Sequence, residues 1–378
     1  MKTVNRAVAG WDLPPWLVLG LALALALAAV LILSRPHREQ RVYHVPGDFP
    51  TIQEAIDRAP PMSAIVLQAQ VYKENLLIKR SLTLLSPEGG EAVIEAAREA
   101  APVIEVEGGA VVSLQNVAIT GSSGGCVGGA RTGPGSGVVC PYALLIRGRA
   151  QVFLIESRVS DNALGIRVAE RGRLRVVASQ VTNNNGNGVE VRDAAQVSIE
   201  RSRLVANGGS GLWTISSGQT TVRETEISGN GAVGLGAAEG AQLTVEDSQI
   251  VENGEDGIWA KGSARVTLRD VRIARNGRDG LHLLEGAQAT VRDSLIVGNG
   301  TSARCEEELP CSGIELVGRA RLELRGSTVR GHPGWGVAAH LERCGFSHDE
   351  FTGRASLVDV EITDNGRGQV CLPTEGSD

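Results

Sequence analysis

Three groups of side chains have types and spacings that could carry chemistry. Asp247, Asp270 and Asp293 recur every 23 residues. Carboxylates stacked at that step could bind Ca²⁺ or work as an acid/base pair. Against this, Asp270 and Asp293 each follow an arginine (Arg269, Arg292). All three also sit just before a Ser/Thr/Val position, where a chain corner calls for an Asx-type turn. A corner role is therefore favoured. The second group is Trp213, Trp259 and His282, which fall in one column with Arg167, Glu190, Gly236 and Glu315. Indoles on a solvated face suit stacking on sugar rings or on a partner protein, unless a long loop covers them. The third group is His332, His340 and His348, near Asp349, Glu350 and Cys344. It has the donors of a transition-metal site, although His332 stands where other repeats carry asparagine.

These columns exist because the chain repeats. The glycines Gly165, Gly188, Gly211, Gly234, Gly257 and Gly280 are spaced by 23, and after a ten-residue insertion Gly313 and Gly336 resume the step. Asn184, Asn207, Asn230, Asn253, Asn276 and Asn299 keep the same period, with Asp161 and His332 in the flanking places and Asn365 after a further insertion. A fixed period of this size marks a solenoid. Within a repeat the apolar residues come in pairs two apart, such as Leu281/Leu283 and Ala289/Val291, followed by Ile296. That alternation predicts three short strands, each with one inward face. Stacked repeats then form three parallel sheets around an aliphatic core, a parallel β-helix. Identical side chains lie above one another at the strand spacing of ~4.8 Å, so Trp213 and Trp259, two rungs apart, should be separated by ~10 Å. Because Asn and Gly tolerate positive φ, Asn-Gly is expected at the rung corners.

The ends of the chain read differently. "TIQEAIDRA" (51–59) pairs Thr51 with Glu54 as a capping box and sets Ile52, Ala55, Ile56 and Ala59 on one face. It is expected to plug the open N-terminal end of the solenoid, whose unpaired edge would otherwise template aggregation. "WLVLGLALALALAAVLIL" (16–33) has no charge and is long enough for a membrane anchor, with no A-x-A-like cleavage site after it. The expected organisation is a tail over 1–15, an anchor over 16–34, a linker over 35–47, the β-helix over 48–371 and a polar tail over 372–378. The six cysteines lack CxxC spacing. Cys126 and Cys140 bracket one insertion, Cys305 and Cys311 another, and Cys344 and Cys371 form the remaining pair. Three disulfides and an oxidising compartment are therefore expected. A net charge of −6 with scattered basic residues argues against a nucleic-acid partner.

The segment "FPTIQEAIDRAPPMSAIVLQAQVYKENLLIKRSLTLLSP" resembles the start of right-handed β-helix proteins of the pectin-lyase-like superfamily. It is most similar to pectin methylesterases and to periplasmic copper-processing proteins. The resemblance, together with the 23-residue repeat, implies a right-handed parallel β-helix with an N-terminal capping helix. It implies no activity, because this fold hosts many. No Gly-Arg-Pro-Trp motif of the esterases is present. The nearest match to a polygalacturonase motif, "GHP" at Gly331 to Pro333, lacks its partners. The expectation is an extracytoplasmic module, anchored by its N-terminal helix and leaning non-catalytic. It would bind glycan or a surface protein through the Trp213/Trp259 face, with no cofactor unless Ca²⁺ or a transition metal. The alternative is a polysaccharide-active enzyme with an unrecognised acidic site.

Overall fold

The computed structural model describes residues 41–124, 141–303, 305 and 311–373. The apolar segment 16–34 lies outside them. Among the described residues no helix is long and apolar enough to cross a membrane.

Each 23-residue repeat forms three short parallel strands. In one rung these are Leu281–Leu283, Gln288–Arg292 and Leu295–Val297. Among the described residues they add to a first sheet of 12 strands, a second of 13 and a third of 12, all parallel. The register is strict: Leu281 pairs with Ile258 below and Ile314 above, and Ile296 with Ile273 and Val329. The inward positions predicted from the period are those that are buried, including Ile166, Val189, Leu212, Leu235, Ile258 and Leu281 in one stack. Packing is thus in aliphatic columns, two inward positions on each of the first two strands and one on the third.

The short helix is Ile52–Arg58, with Thr51 Oγ1 accepting from the Glu54 amide and Ile52, Ala55 and Ile56 buried. The Glu74 carboxylate accepts from the amides of Ile52 and Gln53, both at 2.9 Å, which ties this plug to the first rungs. The β-helix begins earlier than expected. Val42–Val45, placed in the linker by sequence, is a strand paired in parallel with Ala64–Leu67. It forms an edge strand of the second sheet.

The corners differ from expectation in their mechanism. The ladder asparagines are buried, and from Asn162 to Asn276 each side-chain amide donates to the Oδ1 of the next rung, for example Asn207 to Asn230 at 3.0 Å, Asn230 to Asn253 at 2.8 Å and Asn253 to Asn276 at 2.9 Å. The positive-φ residue is the one before, as at Asn183, Ala206, Glu252 and Arg275. Asparagine is required here for its two donors and its acceptor rather than for a left-handed backbone. Asp161, read as a ladder member, is itself the positive-φ residue, and Asn162 takes the ladder place, bonding Asn184 at 3.0 Å. The glycine of Asn-Gly serves close approach: a Cβ on Gly254 would lie 2.4 Å from the carbonyl oxygen of Gly231. The second corner carries the Ser/Thr column, where for example Ser179 N donates to Ser202 Oγ and Thr225 N to Ser248 Oγ.

Two of the three expected disulfides fall among the described residues, and both are present, Cys305–Cys311 and Cys344–Cys371. The third expected pair was Cys126 with Cys140. Cys126 lies outside the described residues, and Cys140 lies outside them as well, one position before they resume at Pro141.

Candidate functional site on the first sheet

The outward column read from the sequence is a continuous row on the first sheet. Arg167 pairs with Glu190, Glu190 with Trp213, Trp213 with Gly236, Gly236 with Trp259, Trp259 with His282, and His282 with Glu315. Strand alternation points these side chains away from the core, yet Glu190, His282 and Glu315 are almost buried. Tyr142 and Arg192 contact Glu190, Asp256 contacts His282, and His340 contacts Glu315.

At the N-terminal end of the row, Arg167 Nη1 donates to Tyr142 Oη at 2.9 Å, and the Tyr142 hydroxyl donates to Glu190 Oε2 at 2.9 Å. Arg192 Nε donates to Glu190 Oε1 at 2.6 Å. Burial, followed by the Glu190 charge, raises the Tyr142 phenol, so it stays protonated. In the middle, the indoles of Trp213 and Trp259 are half-buried and stacked, with centroids 5.3 Å apart and planes 24° from parallel. This is about half the separation expected from the rung spacing. The reason is Gly236: a Cβ there would sit 2.1 Å from Trp213 Cε3, so the missing side chain is the space into which Trp213 leans to meet Trp259.

Beside Trp259 lies a cluster of titratable side chains. Asp256 and Asp279 occupy the same place on consecutive rungs, just before the glycine of each first strand. Asp256 Oδ1 accepts from the Asp279 amide at 3.0 Å, and Asp279 Oδ1 from the Ser312 amide at 2.5 Å. The end of the Cys305–Cys311 insertion supplies Ser312. The other oxygens face the imidazole of His282: Nδ1 is 3.4 Å from Asp256 Oδ2 and 3.9 Å from Asp279 Oδ2. On its far side His282 Nε2 is 4.0 Å from Glu315 Oε1, which is in turn 3.0 Å from His340 Nδ1. His340 stacks on Phe346 of the second insertion, centroids 4.3 Å apart. Both His282 Nε2 and His340 Nε2 are buried without a hydrogen-bond partner. Burial is the largest influence on the Asp279 carboxyl and raises it, with Glu315 and Asp256 adding to the rise. Burial also pushes the His282 imidazole down, but its bond to Asp256 and the three surrounding carboxylates outweigh this and set it at about 9.

The other sequence candidates fall elsewhere. Asp247, Asp270 and Asp293 are exposed and have positive φ (48°, 54° and 50°), the geometry of a corner. His332 is in the asparagine ladder, accepting from the Asn299 amide at Nδ1 and facing the Ile296 carbonyl at Nε2. It is apart from the other two histidines in role. His340 and His348 do come together, ring centroids 5.3 Å apart, with His348 3.3 Å from Glu350. Sequence reasoning missed Asp256 and Asp279. Their signal was present as Asp-Gly on two consecutive rungs, "NGEDG" and "NGRDG", which reads as turn chemistry.

Residues 164–329 match the family described as a right handed beta helix region. The protein is a right-handed parallel β-helix. No curated protein sequence matches it. Among solved structures this β-helix is similar to the A-module of the Azotobacter vinelandii mannuronan C-5 epimerase AlgE4. That match has 18% identity and a TM-score of 0.60, covering 86% of this chain and 94% of that one. It is also similar to a variant of the periplasmic alginate epimerase AlgG, with 13% identity, a TM-score of 0.56, and 87% and 80% covered. The catalytic domain of a GH87 alpha-1,3-glucanase in complex with tetrasaccharides matches at 10% identity and a TM-score of 0.58, with 88% and 66% covered. At these identities the likeness concerns the fold.

Proposed function

We propose that this β-helix is an extracytoplasmic, polysaccharide-active protein. A glycan lies along the outward row of the first sheet, stacks on the Trp213/Trp259 pair, and reaches the cluster around His282 with its reacting unit. The observation that carries this reading is the in-register row that sets two indoles directly beside a buried acid and base set. A flat ring pair offers a face to a sugar ring, and the buried cluster of Asp256, Asp279 and His282 sets polar reacting groups beside it. That several solved β-helices of similar fold are named as polysaccharide-modifying enzymes supports the reading by analogy. The disulfides Cys305–Cys311 and Cys344–Cys371 support a location outside the cytoplasm.

The test is turnover. Neutral and acidic polysaccharides are incubated with the protein, and new reducing ends, unsaturated ends and changed sugar configuration are followed. Activity in the wild type that falls at least ~100-fold in His282→Ala and is unchanged in Asp270→Asn is the expected result. Activity that survives His282→Ala overturns the assignment of the reacting end. A second reading, non-catalytic glycan binding through the same tryptophans, is favoured by the burial of His282, which is only 7% exposed. Binding with no product from any substrate selects it.

A further inference from the structure

We infer that Asp256, Asp279 and His282 form a binding site for a first-row divalent transition metal, of which Zn²⁺ is the representative. The inference deepens the functional reading above and rests on it for the placement of the reacting end. Three features of the geometry carry it.

The first is spacing. A charge-assisted bond between imidazole and carboxylate closes to ~2.7–2.9 Å. Here His282 Nδ1 makes only a long bond of 3.4 Å to Asp256 Oδ2 and lies 3.9 Å from Asp279 Oδ2. Ligands each ~2.0–2.2 Å from one ion lie roughly 3–4 Å from each other, which is the separation observed. The second is anchoring. Each aspartate has its Oδ1 fixed by a backbone amide, that of Asp279 for Asp256 and that of Ser312 for Asp279, leaving Oδ2 turned toward the imidazole. Carboxylates held by one oxygen with the other presented are the arrangement that orients metal ligands. The third is the unpartnered nitrogen. His282 Nε2 is buried, lacks a hydrogen-bond partner and is 4.0 Å from Glu315 Oε1. If Nδ1 ligates, the ring proton must sit on Nε2, where it faces Glu315. Glu315 is then placed as the outer carboxylate behind a histidine ligand, 4.0 Å away and held on its other side by His340 at 3.0 Å.

An imidazole ligand selects against Ca²⁺, which prefers oxygen. Three protein ligands leave positions for water or a substrate oxygen. Nothing in this set comes from the more exposed group of His340, His348 and Glu350.

The experiment is metal uptake without glycan. Full-length protein is stripped with chelator, dialysed against Zn²⁺, Mn²⁺ or Ca²⁺ separately, and analysed for bound metal. Co²⁺ is then used as a spectroscopic probe. One Zn²⁺ per chain is expected, with a raised melting temperature, a Co²⁺ ligand-field band and no retained Ca²⁺. His282→Ala and Asp279→Asn should each lose at least ~100-fold in Zn²⁺ affinity, whereas His348→Ala keeps it. Melting of each variant in chelator separates loss of the site from loss of the fold, and Asp279→Asn retains the acceptor for Ser312. No uptake by the wild type, uptake unchanged in both variants, or uptake lost in His348→Ala overturns the site. Turnover of polysaccharide without metal overturns the metal alone, and bound Zn²⁺ without glycan recognition leaves the metal standing while the reading above fails.

Discussion

Asn253→Ala is expected to destabilise the β-helix by about 3–5 kcal/mol, far more than its small change in volume suggests. The Asn253 side chain donates to Asn276 Oδ1 and to the Ile227 carbonyl, and its own Oδ1 accepts from both the backbone amide and the side-chain amide of Asn230. Alanine strands two buried donors on Asn230 and an acceptor at Ile227, and a buried group left unpaired costs ~1–3 kcal/mol. Because each repeat contacts only its neighbours, the effect should be local first. Amide exchange around Asn230 and Asn276 should accelerate before the distant rungs respond, and the denaturant midpoint should fall. The matched control is Asp270→Asn at the opposite corner. Its side chain is exposed and asparagine tolerates the positive φ of 54°, so its stability should stay within ~0.5 kcal/mol of wild type. Equal effects of the two changes would contradict the ladder as the structural corner.

The second large effect is acid lability from His332. Burial pushes its imidazole down to about 4, against which the bonds to Ile296 and Asn299 act only weakly. In the ladder the ring must accept at Nδ1 from the Asn299 amide, so Nε2 carries the proton and donates to the Ile296 carbonyl. A second proton on Nδ1 destroys the first bond and charges a buried ring. The folded-state value lies below the ordinary unfolded value of ~6.5, so the unfolded chain takes up the proton first. The stability this neutral histidine supports is complete above pH ~6.5 and is lost as pH falls toward 4, at most about 3 kcal/mol in all. His332→Asn restores the residue used at Asn299 and should flatten stability over that pH window relative to wild type. A wild-type curve with the same slope as His332→Asn would contradict the assignment.

The fold is readable because a strict period fixes the register of every strand at once. Ile258, Leu281 and Ile314 have to stack, and so Trp259, His282 and Glu315 have to stand in one outward row. What escapes is whatever depends on departures from the period or on side-chain direction. The distance between Trp213 and Trp259 depends on how one ring leans across Gly236, which spacing alone does not contain. Asp256 and Asp279 are hidden because aspartate before glycine is ordinary at a corner; only the fold brings their Oδ2 atoms to His282. The meeting of Glu315 with His340 crosses an insertion and has no periodic signal. At the asparagine corners the period marks the right place but not the cause, since a preference for positive φ and a buried amide ladder leave the same residue in the sequence. Asp161 stands in for Asn162 in the periodic reading because the ladder steps by 22 rather than 23 residues between Asn162 and Asn184. Cysteine spacing alone predicts Cys305–Cys311 and Cys344–Cys371 correctly, because each pair closes a loop between neighbouring rungs.

The claim that the first sheet's outward row receives a glycan is tested most directly by calorimetric titration. Wild type and the Trp213→Ala/Trp259→Ala double variant are compared against neutral and acidic oligosaccharides of increasing length. The ring pair predicts saturable binding by the wild type to at least one series. In the double variant binding should weaken at least ~10-fold, about 1.4 kcal/mol, with the fold unchanged because both side chains point away from the core. Affinity that is the same in both proteins, or no binding by the wild type to any glycan of either charge, would contradict it.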